Sequence, residues 1–179
     1  MKKWLFMLAL LATGAAQADE LIDPVQNQWA ICQYQSKTKE SCLQKLSSEA
    51  DQASAANPGR TDLLIWAAIV KSSWAGAKGG LGALSLVKTA KQQLEQAIKQ
   101  NPAALDGSAY TSLGSLYYQV PGWPIGFGDK NKAEEILKKA VENNELTTSN
   151  ISDLSLFLLS GIEGAILSAK TFKDKNMFE

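Results

Sequence analysis

Histidine is absent from the chain. With it go the commonest general base at neutral pH and the commonest metal ligand. A Ser-His-Asp arrangement is impossible. Cysteine is nearly absent: Cys32 and Cys42 stand alone, without the C-x-x-C spacing of a redox pair. No G-x4-G-K-[ST] loop occurs, and the Gly79-Gly80-Leu81-Gly82 run is by itself a weak phosphate signal. Net charge is missing too, with 18 basic residues against 18 acidic ones. Loss of Lys2 and Lys3 with a leader would bring the formal charge to −2. Neither value is the electrostatic footprint of a nucleic-acid binder.

The first residues read as a secretory leader. Lys2 and Lys3 precede the apolar run 4–12, and Ala16-Gln17-Ala18 supplies an A-x-A site, so cleavage is expected before Asp19. The apolar run is shorter than the roughly 20 residues that a bilayer span needs. The expected organisation is a signal peptide over 1–18, a helical domain over 19–146, and an apolar helix with a frayed end over 147–179. A periplasmic or secreted location follows from the leader. In such a compartment Cys32 and Cys42 suit a disulfide. On one continuous helix they would be roughly 15 Å apart in rise, too far to bond. Across a turn at Ser36–Lys39 they could face each other. Two separate thiols in a helical core is the other reading.

What is present is helical spacing. A short mixed segment over 24–35 has Trp29, Cys32 and Gln33 as its inner face. Residues 40–56 follow, with Cys42, Leu43, Leu46, Ala50 and Ala53 in register, and Asn57-Pro58-Gly59 stops them. Leu63, Trp66, Ala67, Val70 and Trp74 mark a third helix, whose tryptophans are expected to fill a core. Residues 76–82 read as a flexible link. Residues 83–99 are strongly amphipathic, with Leu86, Ala90, Leu94, Ala97 and Ile98 on one side. Tyr110, Leu113, Gly114 and Tyr117 then lie on one helix face, and Ala133, Leu137 and Ala140 on another. Between these two helices lies the Pro- and Gly-rich stretch 120–129.

Boundaries at Asn57-Pro58, Asn101-Pro102 and Asn144-Glu145 recur at intervals of 44 and 43 residues. Ala90, Leu94 and Ala97 match Ala133, Leu137 and Ala140 in spacing. A repeat of this length with two helices per unit predicts an all-α solenoid of stacked hairpins. The pattern Tyr110-x2-Leu113-Gly114-x2-Tyr117 followed by Ala133-x3-Leu137-x2-Ala140 resembles the tetratricopeptide repeat. The links within the later hairpins are longer than in the usual 34-residue unit, and Glu145 stands where a Pro is usual. The wider stretch 75–129 resembles small secreted bacterial tetratricopeptide proteins. It is also distantly similar to the helical-repeat components that accompany periplasmic-binding-protein-dependent (TRAP) transporters. The resemblance implies a TPR-like solenoid over about residues 24–144 that binds proteins or peptides.

The tail departs from that pattern. Residues 151–170 form an apolar run whose Ser160–Leu167 stretch locally resembles the last helix of TetR-type regulators. No helix-turn-helix precedes it. It is expected to act as a C-terminal capping helix over the open end of the solenoid. Asp153 and Glu163 within it disfavour a membrane span.

Candidate chemistry is thin. Ser85-x2-Lys88 has S-x-x-K spacing, but the partner motifs of serine acyl enzymes are missing. Glu134 with Lys138, and Glu135 with Lys139, are i, i+4 pairs of a solvated helix face. No catalytic group, metal or cofactor is expected. The best candidate is the 123–129 loop, in which Trp123 and Phe127 could anchor a partner. The competing reading has the loop folding back on its own hairpin, with Asp129 capping the next helix. The function expected is a non-enzymatic scaffold or adaptor for a protein or peptide. Tyr110, Tyr117, Trp123, Phe127 and Asp129 are its candidate contacts, and no oligomeric state is indicated. The second reading is a small-ligand carrier or transporter accessory, with Trp66, Trp74 and Trp123 around an apolar pocket.

Overall fold

Residues 14–142 are described by the structure, a computed structural model, and among them lie six α-helices and no strand. These are α1 (Gly14–Tyr34), α2 (Lys39–Ala56), α3 (Thr61–Lys78), α4 (Gly80–Gln100), α5 (Ser108–Gln119) and α6 (Lys130–Glu142). The architecture is all-α. The leader residues before 14, the Asn144-Glu145 boundary and the capping tail 147–179 lie outside the described residues. No helix among the described residues is long and apolar enough to cross a membrane.

Short links make successive helices antiparallel neighbours. Each helix packs on the next, and α3 also touches α1 on one side and α5 on the other. Two clusters form the core of the described residues. One joins α1, α2 and α3 through Val25, Cys32, Leu43, Leu46, Ala67 and Val70. The other joins α3 to α6 through Leu64, Ile65, Val87, Leu94, Leu113 and Ile136. Helix α3 serves both, so its apolar residues encircle it rather than form one stripe.

Helix ends follow the local chemistry. At the end of α2 the Asn57 side-chain amide donates to the Ala53 carbonyl at 2.9 Å, and Pro58 cannot continue the ladder. At the end of α4 the Asn101 side-chain oxygen accepts from the Ala103 amide. The chain then turns through left-handed Leu105, Asp106 and Gly107, where Leu105 packs on the larger cluster. At the start of α3 the Arg60 guanidinium grips the Asp62 carboxylate at 2.9 and 2.7 Å, and the Leu63 amide donates to it as well.

Burial pushes the Asp62 carboxyl upward, but the Arg60 and Leu63 hydrogen bonds outweigh it and hold it below the usual carboxylate value. The folded state therefore takes this proton less readily than the unfolded chain. The stabilisation is present above the unfolded value and is lost as pH falls through the folded one. Asp62→Asn should lower stability at pH 7 by about 1 kcal/mol. It should also flatten the decline on acidification below about pH 4. Urea midpoints between pH 2 and 7 test this, and an unchanged acid limb in the variant would contradict it.

Three expectations are corrected. The first segment is not short: α1 runs from Gly14 through Pro24 to Tyr34, includes the A-x-A residues, and buries Ile22 and Val25 beside Cys32. The 76–82 stretch is not a link. Helix α3 continues to Lys78 and α4 begins at Gly80, so the turn contracts to Gly79 and Gly80 at φ 65° and 60°. Only those two glycines need the left-handed region; Gly76 and Gly82 are simply helical. On α5 the buried side is Ala109, Leu113, Gly114 and Leu116, with Tyr110 and Tyr117 only half-buried.

The cysteine expectation holds. Cys32 and Cys42 form a disulfide with Cα atoms 5.4 Å apart, joining the end of α1 to the start of α2. Gly114 also sits at a close approach. A Cβ there would meet the Leu137 side chain at 2.7 Å, so α5 and α6 touch at this point through a missing methyl group.

Candidate functional site

Two features of the described residues could meet a partner, and they share one end of the molecule. The first is an open groove of about 500 Å3 between α1, α3 and α5. Ser72 and Ser73 line it from α3, and Thr111, Ser112 and Ser115 from α5. Gln33, at the last turn of α1, lies at its edge. Ile69 and Leu116, at the border of the larger core cluster, form the apolar part of the groove's lining. The Trp29 indole N–H donates to Ser73 Oγ at 2.8 Å and ties α1 to α3 beneath the groove. The Gln33 Oε1 is buried and accepts no hydrogen bond from the protein.

The second feature is the loop between α5 and α6. Its structure is two-sided. Phe127 folds back and meets the Tyr117 ring edge-on at 5.4 Å. The Lys91 ammonium stands 5.6 Å from the Tyr117 ring and 5.7 Å from the Phe127 ring, and bonds Glu95 at 2.7 Å. Burial alone would lower the Lys91 pKa, but Glu95 and the facing Tyr117 raise it above the usual lysine value. The Gly128 amide donates to the Pro121 carbonyl at 3.0 Å, and a Cβ at Gly128 would collide with the Val120 carbonyl. Asp129 caps α6: its Oδ1 accepts from the Asn131 and Lys132 amides at 2.9 and 3.0 Å. The other side of the loop projects outward, with Trp123 90% and Ile125 59% exposed.

The expected contacts are thus divided. Tyr117, Phe127 and Asp129 come together, in a cluster that packs and caps the hairpin. Tyr110 is half-buried against the larger core cluster. None of these, nor Trp123, lines the groove. Trp123 belongs to neither core cluster, whereas Trp66 and Trp74 pack with Trp29 in the smaller one. The three tryptophans of the pocket reading are therefore not assembled. Apart from Gln33, the groove residues escaped sequence reasoning because Ser and Thr on a helix give no periodic signal.

Ser85 and Lys88 are both exposed, and the Ser85 hydroxyl donates to the Gly82 carbonyl at 3.1 Å. Glu134 and Glu135 pair with Lys138 and Lys139 at 2.8 and 3.3 Å on the outer face of α6. Among the described residues no cluster of three His, Cys, Asp or Glu side chains is placed to hold a metal ion. Comparison with protein-family models, curated proteins and solved structures finds no match to this chain.

Proposed function

We propose that the chain is a non-enzymatic adaptor of an oxidising extracytoplasmic compartment, periplasmic or secreted, that holds a segment of a partner protein or peptide. The groove between α1, α3 and α5 carries this reading. It is open, which suits a passing chain rather than an enclosed small ligand. It offers a row of side chains that includes the Ser112 and Ser115 hydroxyls, apolar Ile69 and Leu116, and one buried acceptor with no protein donor, Gln33 Oε1. An extended peptide presents N–H and C=O groups every 3.3 Å or so to such a row. The disulfide and the leader-like N-terminus support the compartment.

The TPR-like solenoid reading has support in the same place. The odd-numbered helices share the groove, and α3 touches both α1 and α5. In a stack of hairpins the first helices line one face in this way.

A photoreactive residue at Ser112, in the groove, should crosslink to a partner polypeptide in extract of the native compartment. One at Ser48, exposed on α2, should not. Ser115→Arg, which fills the groove, should reduce the Ser112 crosslink at least tenfold, about 1.4 kcal/mol. Equal capture from both positions, or capture indifferent to Ser115→Arg, would remove the groove from the function.

A further inference from the structure

The ends of the three odd-numbered helices meet at one edge. Gln33 and Lys39, Gly76 and Ala77, and Gln119 border the same groove, although they come from three separate hairpins. Lys78 at the end of α3 bonds Glu40 at the start of α2 at 3.3 Å. The α1–α2, α3–α4 and α5–α6 turns are therefore neighbours along one side of the molecule.

Each of those turns exposes a large apolar side chain. Tyr34 is 76% exposed, Leu81 83% and Trp123 90%, with Ile125 beside Trp123. Elsewhere among the described residues the exposed large apolar side chains are Leu21 and Ile31 of α1, at 40% and 43%. The turns at the opposite edge, around Pro58 and Pro102, expose none. Charge follows the same division. The apolar edge carries Lys37, Lys39, Lys78, Lys130 and Lys132 against Glu40, Asp129 and Glu135. Asp129 is occupied in capping α6, Glu40 pairs Lys78 and Glu135 pairs Lys132, which leaves Lys37, Lys39 and Lys130 as the excess. The opposite edge is balanced, with Arg60 and Lys99 against Asp62 and Asp106. In a chain of zero net charge this excess is local.

We propose that this edge docks on an anionic lipid surface, its apolar tips entering the headgroup boundary and its lysines meeting lipid phosphates. Tryptophan and tyrosine favour that boundary because one end of each ring is apolar and the other polar. Isolated apolar tips between cations suit a flat charged surface. A protein hot spot instead gathers its anchors into one central desolvated pocket. The loop is built to present Trp123 firmly: the Ile125 and Gly126 amides both donate to the Gly122 carbonyl at 3.1 Å, and Phe127 holds its far side on Tyr117. Docking of this kind is peripheral and salt-sensitive.

The test is cosedimentation of the full chain with vesicles of phosphatidylglycerol and phosphatidylethanolamine, against vesicles of phosphatidylcholine. Leu81→Ser with Trp123→Ser should weaken binding to the anionic vesicles at least tenfold, with an unchanged circular dichroism spectrum because both side chains are exposed. Lys37→Gln with Lys130→Gln should weaken it several-fold at 0.1 M salt and little at 0.5 M. Brominated lipid should quench a component of the tryptophan fluorescence that disappears in Trp123→Phe. The proposal is overturned if the tip variants bind as the wild type does, since binding then resides in the chain's terminal segments. It is equally overturned if Arg60→Gln with Lys99→Gln has the larger effect. Trp123-dependent capture of a protein without vesicle binding would assign the edge to a protein partner instead. Failure of the groove crosslink leaves these outcomes unaffected, so the two readings fail separately.

Discussion

Replacing Asp51 with alanine should destabilise the domain by about 2 kcal/mol, the cost of leaving a buried cation without its acceptor. The reason is Lys71. It lies inside α3 with 4% of its surface exposed, and its ammonium pairs with the Asp51 carboxylate of α2. The other Asp51 oxygen accepts from the Gln93 side-chain amide of α4 at 2.8 Å. One carboxylate thus joins three helices. Without it a buried cation and a half-buried amide lose their acceptor together. Asp51 keeps contact with solvent, which limits the loss by letting water approach the ammonium. The paired variant Asp51→Ala with Lys71→Met should recover most of the deficit, because a methionine of similar shape carries no charge to desolvate. Urea denaturation of the four members of this cycle gives the coupling directly. A single Asp51→Ala variant within 0.5 kcal/mol of wild type would show that the ammonium finds other solvation.

Reduction of the disulfide should cost at least as much. Closing a loop of ten positions between Cys32 and Cys42 stabilises by about 3 kcal/mol on chain entropy alone. Its structural consequence is uneven. Helix α1 reaches the rest of the molecule through Ile22, Val25, Cys32 and Trp29, a smaller contact than α3 makes with α4. Cys32→Ser with Cys42→Ser should therefore release α1 first. Hydrogen exchange should accelerate in residues 22–34 well before it does in α3 to α6. Because Gln33 borders the groove, partner crosslinking at Ser112 should weaken in the same variant. Uniform acceleration across all six helices would mean that α1 belongs to the same cooperative unit as the rest.

Much of this fold can be read along the chain, and the reason is locality. The 3.6-residue spacing of Leu43, Leu46 and Ala50, or of Ala90, Leu94 and Ala97, marks faces that the structure does bury. Asn57-Pro58 and Asn101-Pro102 end helices through their own side chains and the missing proline amide. The capping of α6 by Asp129 needs only its two following amides. The exposed Glu–Lys pairs of α6 lie one turn apart on a single helix. The disulfide was open to a sequence reading once a turn was placed between the cysteines.

Other features depend on segments far apart. Lys71 in an apolar run gives no sign that Asp51 will reach it from another helix. Tyr110 and Tyr117 share a face with Leu113 and Gly114, yet α4 and the loop take up only part of that face. The groove draws Gln33, Ser72 and Ser115 from three hairpins, and the exposed edge draws Tyr34, Leu81 and Trp123 from three turns. Helix positions, stops and caps came from interactions within a few residues, whose energies the local sequence sets. Which faces meet, which charge is buried and which side chains are left over were decided by packing six helices around two clusters, because burial is shared among distant residues and belongs to none of them alone.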